Sequence, residues 1–414
     1  MDVVLVSAFL IAFALASGIL ARSVITMPLA FTALGFAIGP LDWLDPSQER
    51  PYETIHLLAE ATLALVLFSE ASHVRIRRFS MGDNIAARLL LVALPLSIAM
   101  GGAIAFAIFP EGAIMVGLLT AAILAPTDAA LGQSLFQNKQ VPEKLRRALA
   151  IESGLNDGMV VPVIIFAAAA AAAGMNGELG AGIVGKMATA LVAPAIYGAL
   201  LAMAVALLIG MAERRGWMQP VYEGATIIAL VALLYAGADA YGGSGFIATF
   251  VGGLAFGHFA ADRCGTLEAF MEREGRVLTI ATFLIFGAVM VPLALDHASG
   301  RTLLLAASFL TLVRAVPVWL ATIGLGLPWQ QRALLGWFGP RGLPSVIFVL
   351  LVLQDYRFAG SEELLACVVM TVGLSILLHG ATAVPLARRF ASRETFVTST
   401  PRAAKKLSNA GDAP

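Results

Sequence analysis

Runs of about 20 apolar residues recur along nearly the whole chain, each long enough to cross a ~30 Å hydrocarbon core as a helix. Only helices and closed barrels satisfy their own backbone polar groups in lipid. Read this way, the runs give about thirteen spans. Their approximate limits are 3–21, 24–39, 53–72, 86–108, 111–136, 143–173, 181–211, 220–241, 243–261, 276–294, 301–324, 330–354 and 361–389. The second is short, and the sixth and seventh are long enough to tilt or break. Charged residues make up only 13% of the chain, about half the share in a soluble protein. The expected fold class is an all-α polytopic membrane protein with about 13 transmembrane helices.

Several function classes lose support at once. Formal net charge is zero, so nothing points to nucleic acid as a partner. Cys264 and Cys367 lack metal-ligand spacing and read as inert thiols. There is no His-Glu-x-x-His, and no Gly-rich loop ends in Gly-Lys-Ser/Thr, which argues against ATP-driven transport. No cofactor is expected.

Basic residues set the expected orientation. Arg75, Arg77 and Arg78 follow span 3; Lys139, Lys144, Arg146 and Arg147 follow span 5; Arg214 and Arg215 follow span 7. Arg263, Arg273 and Arg276 follow span 9, and the tail carries Arg388, Arg389, Lys405 and Lys406. The alternate loops are poor in Lys and Arg. Odd-numbered loops therefore face the cytoplasm, with the N-terminus outside and the C-terminus inside. Ala14-Leu15-Ala16 resembles a cleavage site, but Met1-Asp2 lacks the basic region a signal peptide needs, so the first run is kept as a helix. The polar tail, 391–414, reads as a short disordered cytoplasmic segment, with no soluble domain.

Three acids, Asp128, Glu152 and Asp157, lie inside these apolar runs, where ionisable groups are costly and mark function. Asp157 lies ten residues beyond Arg147, roughly 15 Å along a helix. Asp128 precedes Lys139 by eleven residues, roughly 16 Å, and Arg341 follows Arg332 by nine, roughly 14 Å. All three reach about the middle of a ~30 Å core.

Two breaks accompany them. Thirteen helices divide as six, one and six, which suits inverted six-helix repeats and makes helices 5 and 12 equivalent. Helix 5 is interrupted by Ala125-Pro126-Thr127-Asp128, and helix 12 by Gly339-Pro340-Arg341-Gly342-Leu343-Pro344. Discontinuous crossing helices 5 and 12 would place Asp128 near a positive helix end and Arg341 near a negative one.

Helix 6 carries Glu152-Ser153-Gly154-Leu155-Asn156-Asp157. Ser153 and Asp157 share one face; Glu152 and Asn156 share another, rotated by one residue. Asp157 and Ser153 are assigned to a hard monovalent cation, with Thr127 and Asp128 completing an oxygen shell. Glu152 needs a partner, and Arg314 in helix 11 is the best candidate. Asp128, Glu152 and Asp157 against Arg314 and Arg341 leave one negative charge. One proton or one cation satisfies it, so the count anticipates one-for-one, electroneutral exchange.

Pro126-Thr127-Asp128, the Glu152–Asp157 block and Gly339-Pro340-Arg341-Gly342 resemble those of the electroneutral monovalent cation:proton antiporter family. That family includes NhaP-type bacterial sodium/proton antiporters and animal sodium/proton exchangers. The likeness covers essentially the whole membrane region. It implies that Asp157 binds ion and proton in turn, that Ser153, Thr127 and Asp128 line the site, and that Glu152 pairs with Arg314. Asn156 stands where electrogenic relatives have a second aspartate. The resemblance also implies a homodimer in a bacterial inner membrane. A core bundle (86–173 and 301–389) would move against a dimerisation bundle (1–72 and 220–294), within an antiporter domain spanning 1–390.

Sodium or lithium exchange for protons is therefore the leading expectation, with membrane lipid as surroundings. A potassium/proton antiporter, a cation channel and an intramembrane aspartyl protease built on Asp128 and Asp157 are the rivals. Glu60, deep in helix 3, is a candidate for the pathway. Glu70 is expected near the cytoplasmic end, solvated or in an access funnel. Asp239 reads as interfacial, and His258 and His379 as structural histidines or pH sensors.

Overall fold

A computed structural model describes residues 2–20, 25–39, 49–74, 83–109, 114–128, 131, 141–174, 181–260 and 276–397. These residues form helices and their connections, with no strand among them. In chain order the helices are α1 (Asp2–Leu20), α2 (Met27–Ile38), α3 (Glu49–His73), α4 (Asp83–Arg88), α5 (Leu94–Ile108), α6 (Ile114–Leu124), α7 (Glu143–Ala172), α8 (Ala181–Arg214), α9 (Glu223–Asp239) and α10 (Gly245–Phe259). Then come α11 (Arg276–Ile285), α12 (Val291–Asp296), α13 (Gly300–Leu310), α14 (Leu312–Ala321), α15 (Trp329–Trp337), α16 (Leu343–Asp355) and α17 (Ser361–Val397). Wide π turns join α4 to α5 (Leu89–Ala93) and α11 to α12 (Phe286–Met290).

Every apolar segment read from the sequence holds helix. Among the described residues six segments are long and apolar enough to cross a membrane, and five more apolar helices are shorter. The long sixth and seventh segments are single helices, α7 and α8, each running through an internal proline (Pro162 and Pro194). The eleventh is two helices, because Thr311 (φ −119°, ψ −86°) leaves the helical region between α13 and α14. The last helix runs to Val397, beyond the expected limit near 389. Residues 398–414 of the expected disordered tail lie outside the described residues, as do Arg75, Arg77, Arg78, Lys139, Arg263 and Arg273.

Without a hydrophobic drive between helices in lipid, close packing depends on small residues that let backbones touch. Gly253 and Gly257 of α10 lie against α3, where an added Cβ would sit 2.4 Å from the Phe68 carbonyl oxygen and 2.1 Å from that of Ser72. Gly154 of α7 faces the other side of α3, 3.2 Å from the Glu70 carbonyl oxygen by the same construction. Helix α3 is thus gripped between α7 and α10. Outside, α8 turns Val192, Ile196, Leu200 and Leu207 outward, each more than half exposed, a stripe that suits lipid contact.

The two breaks interlock. Helix α6 stops at Leu124, and 125–128 continue as non-helical chain. Helix α15 stops at Trp337, and α16 starts only at Leu343, with Pro344 in its opening turn where a missing donor costs nothing. The Asp128 N–H donates to the Pro340 carbonyl (2.8 Å), and the Ser345 hydroxyl donates to the Ile123 carbonyl (2.7 Å). The second half of helix 5 lies outside the described residues apart from Leu131.

Candidate ion site

Backbone groups freed by each break are answered by the other one. The Asp128 carboxylate accepts the Leu343 N–H at the start of α16 through Oδ2 (2.8 Å) and the Leu131 N–H through Oδ1 (3.4 Å). An anion at a helix N-terminus is favoured by the exposed amides and the helix dipole. Arg341 does the converse: its Nη1 donates to the Pro126 carbonyl just beyond the C-terminal end of α6 (2.9 Å). Arg341 is completely buried, and its Nε and Nη2 have no hydrogen-bond partner among the described residues.

Glu152 and Arg314 meet in a bidentate pair. Arg314 Nη1 contacts Glu152 Oε1, and Nη2 donates to Oε2 at 2.8 Å. The same Nη2 lies 3.3 Å from the carbonyls of Leu335 and Phe338 at the C-terminal end of α15. The guanidinium therefore joins α7, α14 and the second break. Gly339 makes room for it, since a Cβ there would stand 2.6 Å from Arg314 Nε.

The remaining face of α7 meets the first break. Thr127 Oγ1 lies 3.0 Å from Ser153 Oγ and accepts from Asn156 Nδ2 at 2.8 Å. Asn156 thus shares Thr127 with Ser153, at i,i+3 spacing, rather than pairing with Glu152. One turn on from Ser153, Asp157 is 1% exposed, and neither carboxylate oxygen has a hydrogen-bond donor among the described residues. A buried carboxylate without donors is costly, so the arrangement demands a proton or a cation.

Glu70 supplies the part that sequence reasoning missed. Its side chain keeps partial exposure, and its carboxyl faces Asp157 within hydrogen-bonding range, with one oxygen fully buried. Two carboxylates offer only acceptors, so contact between them requires a shared proton or a bound cation. The sequence carried a partial signal in Glu70 within the apolar stretch Leu67–Ala71. The decisive fact is tertiary: Gly154 lets α3 approach α7. Glu60 is elsewhere, accepting from the Tyr235 hydroxyl (2.5 Å) and 3.1 Å from His56 Nε2.

Together Thr127, Ser153 and Asp157, all buried, and the part-exposed Glu70 present two hydroxyls and two carboxyls beside Asp128. Among the described residues no three His, Cys, Asp or Glu side chains form a metal chelate. The cluster is a candidate site at which a proton or a cation could be held by oxygen atoms alone. A family model for the transmembrane sodium/hydrogen exchanger matches residues 5–389.

The chain belongs to the sodium/hydrogen exchanger family.

Similar proteins carry two ion names. The K(+)/H(+) antiporter NhaP2 of Shewanella sp. (strain ANA-3) is 24% identical over 375 residues, covering 90% of this chain and 64% of that protein. The chain thus spans under two thirds of that relative. The Na(+)/H(+) antiporter NhaH of Halobacillus dabanensis is 28% identical over 290 residues, covering 67% and 69%. The solved sodium proton antiporter MjNhaP1 of Methanocaldococcus jannaschii, at pH 8, superposes with a TM-score of 0.75 at 21% identity, covering 94% of this chain and 99% of that one. That likeness establishes the fold of this family member.

Proposed function

We propose that the protein is a secondary antiporter exchanging a monovalent cation, sodium or lithium, for protons by alternating access. The reading rests on Asp157, a buried carboxylate with no donor that faces a second carboxyl between two helix breaks. A proton or a cation neutralises that arrangement, and the two compete for the same oxygens. Ser153 and Thr127 add hydroxyl oxygens to the cation's shell. Asp128, whose two oxygens hold the amides of Leu343 and Leu131, braces the crossing and lends its charge from the side.

Glu70 changes the charge count. Four acids (Glu70, Asp128, Glu152 and Asp157) now stand against Arg314 and Arg341. One-for-one exchange then requires one proton to stay on the Glu70–Asp157 pair while the remaining charge alternates between proton and cation. Engagement of Asp128 by two amides also disfavours the aspartyl protease reading, which needs two carboxyls free to activate water. Potassium is the second reading, favoured by relatives named as K(+)/H(+) antiporters. The membrane crossings are taken as the thirteen apolar segments, with α5–α7 and α13–α17 as the moving core and a homodimer formed by the other bundle.

The test is proton flux in inside-acid proteoliposomes on addition of sodium, lithium or potassium. Dequenching of a pH dye by sodium and lithium is expected, without net current. A response to potassium alone would move the assignment to the second reading, and current proportional to flux would defeat electroneutrality.

A further inference from the structure

Both ends of the unwound stretch between α15 and α16 are tied to one face of α17. His379 Nε2 lies 3.0 Å from the carbonyl of Trp337, the last residue of α15, so this nitrogen carries hydrogen and donates. His379 Nδ1 lies 3.2 Å from the Ser375 hydroxyl and 3.1 Å from the Ser375 carbonyl. The Ser375 hydroxyl oxygen in turn accepts the backbone N–H of Arg341 at 2.7 Å. Ser375 and His379 are i,i+4 neighbours, both buried, and the indole of Trp337 lies against the imidazole with ring centroids 5.5 Å apart.

We infer that His379 and Ser375 are positioning residues for cation exchange, holding the 338–342 stretch so that Arg341 meets the first break. This inference rests on the antiport reading. The hydrogen bonds admit two arrangements. With a neutral ring, the Ser375 hydroxyl donates to Nδ1 while its oxygen holds the Arg341 amide, giving one continuous chain from Trp337 to Arg341. With a charged ring, Nδ1–H donates to the Ser375 carbonyl, and the hydroxyl loses its acceptor on the ring. The charged groups facing the imidazole are Arg341 and Arg314, both cations. Protonation therefore adds a third positive charge beside the unwound stretch and cuts the link between the imidazole and the Ser375 hydroxyl, which then holds the Arg341 amide unsupported by the ring. The neutral form is the transporting form, and acidification through the histidine range slows turnover.

The experiment measures sodium-dependent proton flux of the full chain in proteoliposomes between about pH 5.5 and 8, where histidine titrates. His379→Gln keeps a donor near the Trp337 carbonyl and cannot titrate. It is expected to transport at neutral pH with an unchanged KM and to lose part of the wild-type decline at acid pH. His379→Ala and Ser375→Ala should lower the maximal rate about tenfold with KM little changed, equivalent to ~1.4 kcal/mol in the barrier. An unaltered acid limb in His379→Gln overturns the inference, even if His379→Ala does not fold. So does a wild-type rate in His379→Ala. Absence of sodium-, lithium- or potassium-dependent flux in the wild type removes the antiport reading and this inference with it. Flux in the wild type with unaltered variants removes this inference alone.

Discussion

Asp128 Oδ2 lies 2.8 Å from the backbone nitrogen of Leu343, across the junction of the two helix breaks. One carboxylate from the first break thus caps the helix that begins at the second. Such a charge-assisted contact contributes about 1.5–3 kcal/mol, more than a neutral hydrogen bond. Position 342 controls it sterically, since a Cβ on Gly342 would stand 1.9 Å from that oxygen. Gly342→Ala should lower the thermal unfolding temperature and abolish cation-dependent proton flux. A variant with wild-type flux would show that the cap is dispensable.

The pair between Glu152 and Arg314 predicts an asymmetry between variants. Removing one partner of a buried ion pair leaves an uncompensated charge and typically costs about 3–5 kcal/mol. Arg314→Ala should therefore reduce expression and melting temperature sharply. Ser153→Ala should leave both near wild type and weaken apparent cation affinity instead. The double replacement Glu152→Gln with Arg314→Met should recover part of the stability lost in Arg314→Ala. Equal melting temperatures for Arg314→Ala and Ser153→Ala would count against the pair as a brace.

Glu70 separates two pictures of the site. If it faces Asp157 across the bound cation or proton, Glu70→Gln should keep the fold and raise the KM for sodium about tenfold, near 1.4 kcal/mol of lost interaction. A residue in a solvated entry funnel would change KM much less, and mainly at low salt. Measuring KM at low and high ionic strength decides between them.

Helix α3 carries Glu70 only as accurately as its neighbours hold it. Gly257→Leu would drive α10 off α3, because even a Cβ there lies 2.1 Å from the Ser72 carbonyl oxygen. The expected result is a loss of thermal stability of about 1–3 kcal/mol, in the range of overpacked cores, with transport reduced in proportion. Gly185→Ala, where a Cβ meets nothing within 4 Å, is the matched control and should behave as wild type.

The helices were legible because length and apolarity are local properties, and a run such as 143–173 can hardly be anything else in a membrane. Both breaks were legible at Pro126 and at Gly339-Pro340, where the residue types themselves disrupt a helix. The break at Thr311 was not, because neither proline nor glycine marks it; there the chain turns where α13 meets α14 and Arg314 is aimed at Glu152. The π turns at Leu89–Ala93 and Phe286–Met290 each precede a proline, Pro95 and Pro292, which marks a disturbed helix without saying what form it takes. The nearness of Glu70 to Asp157 was not legible, because distance from the nearest basic loop measures depth, not neighbours. Its approach to Asp157 depends on Gly154 in another helix, a fact no local pattern contains.

Cation-induced proton release tests the account most directly. Saturating sodium is added to purified protein in weak buffer near its working pH, and released protons are counted per chain. Competition for the Asp157 carboxylate predicts about one proton per bound cation in the wild type, from the single charge left to alternate. It predicts none from Asp157→Asn. Cation binding without proton release, or the same release from Asp157→Asn, would contradict the claim that the two ions take turns on that side chain.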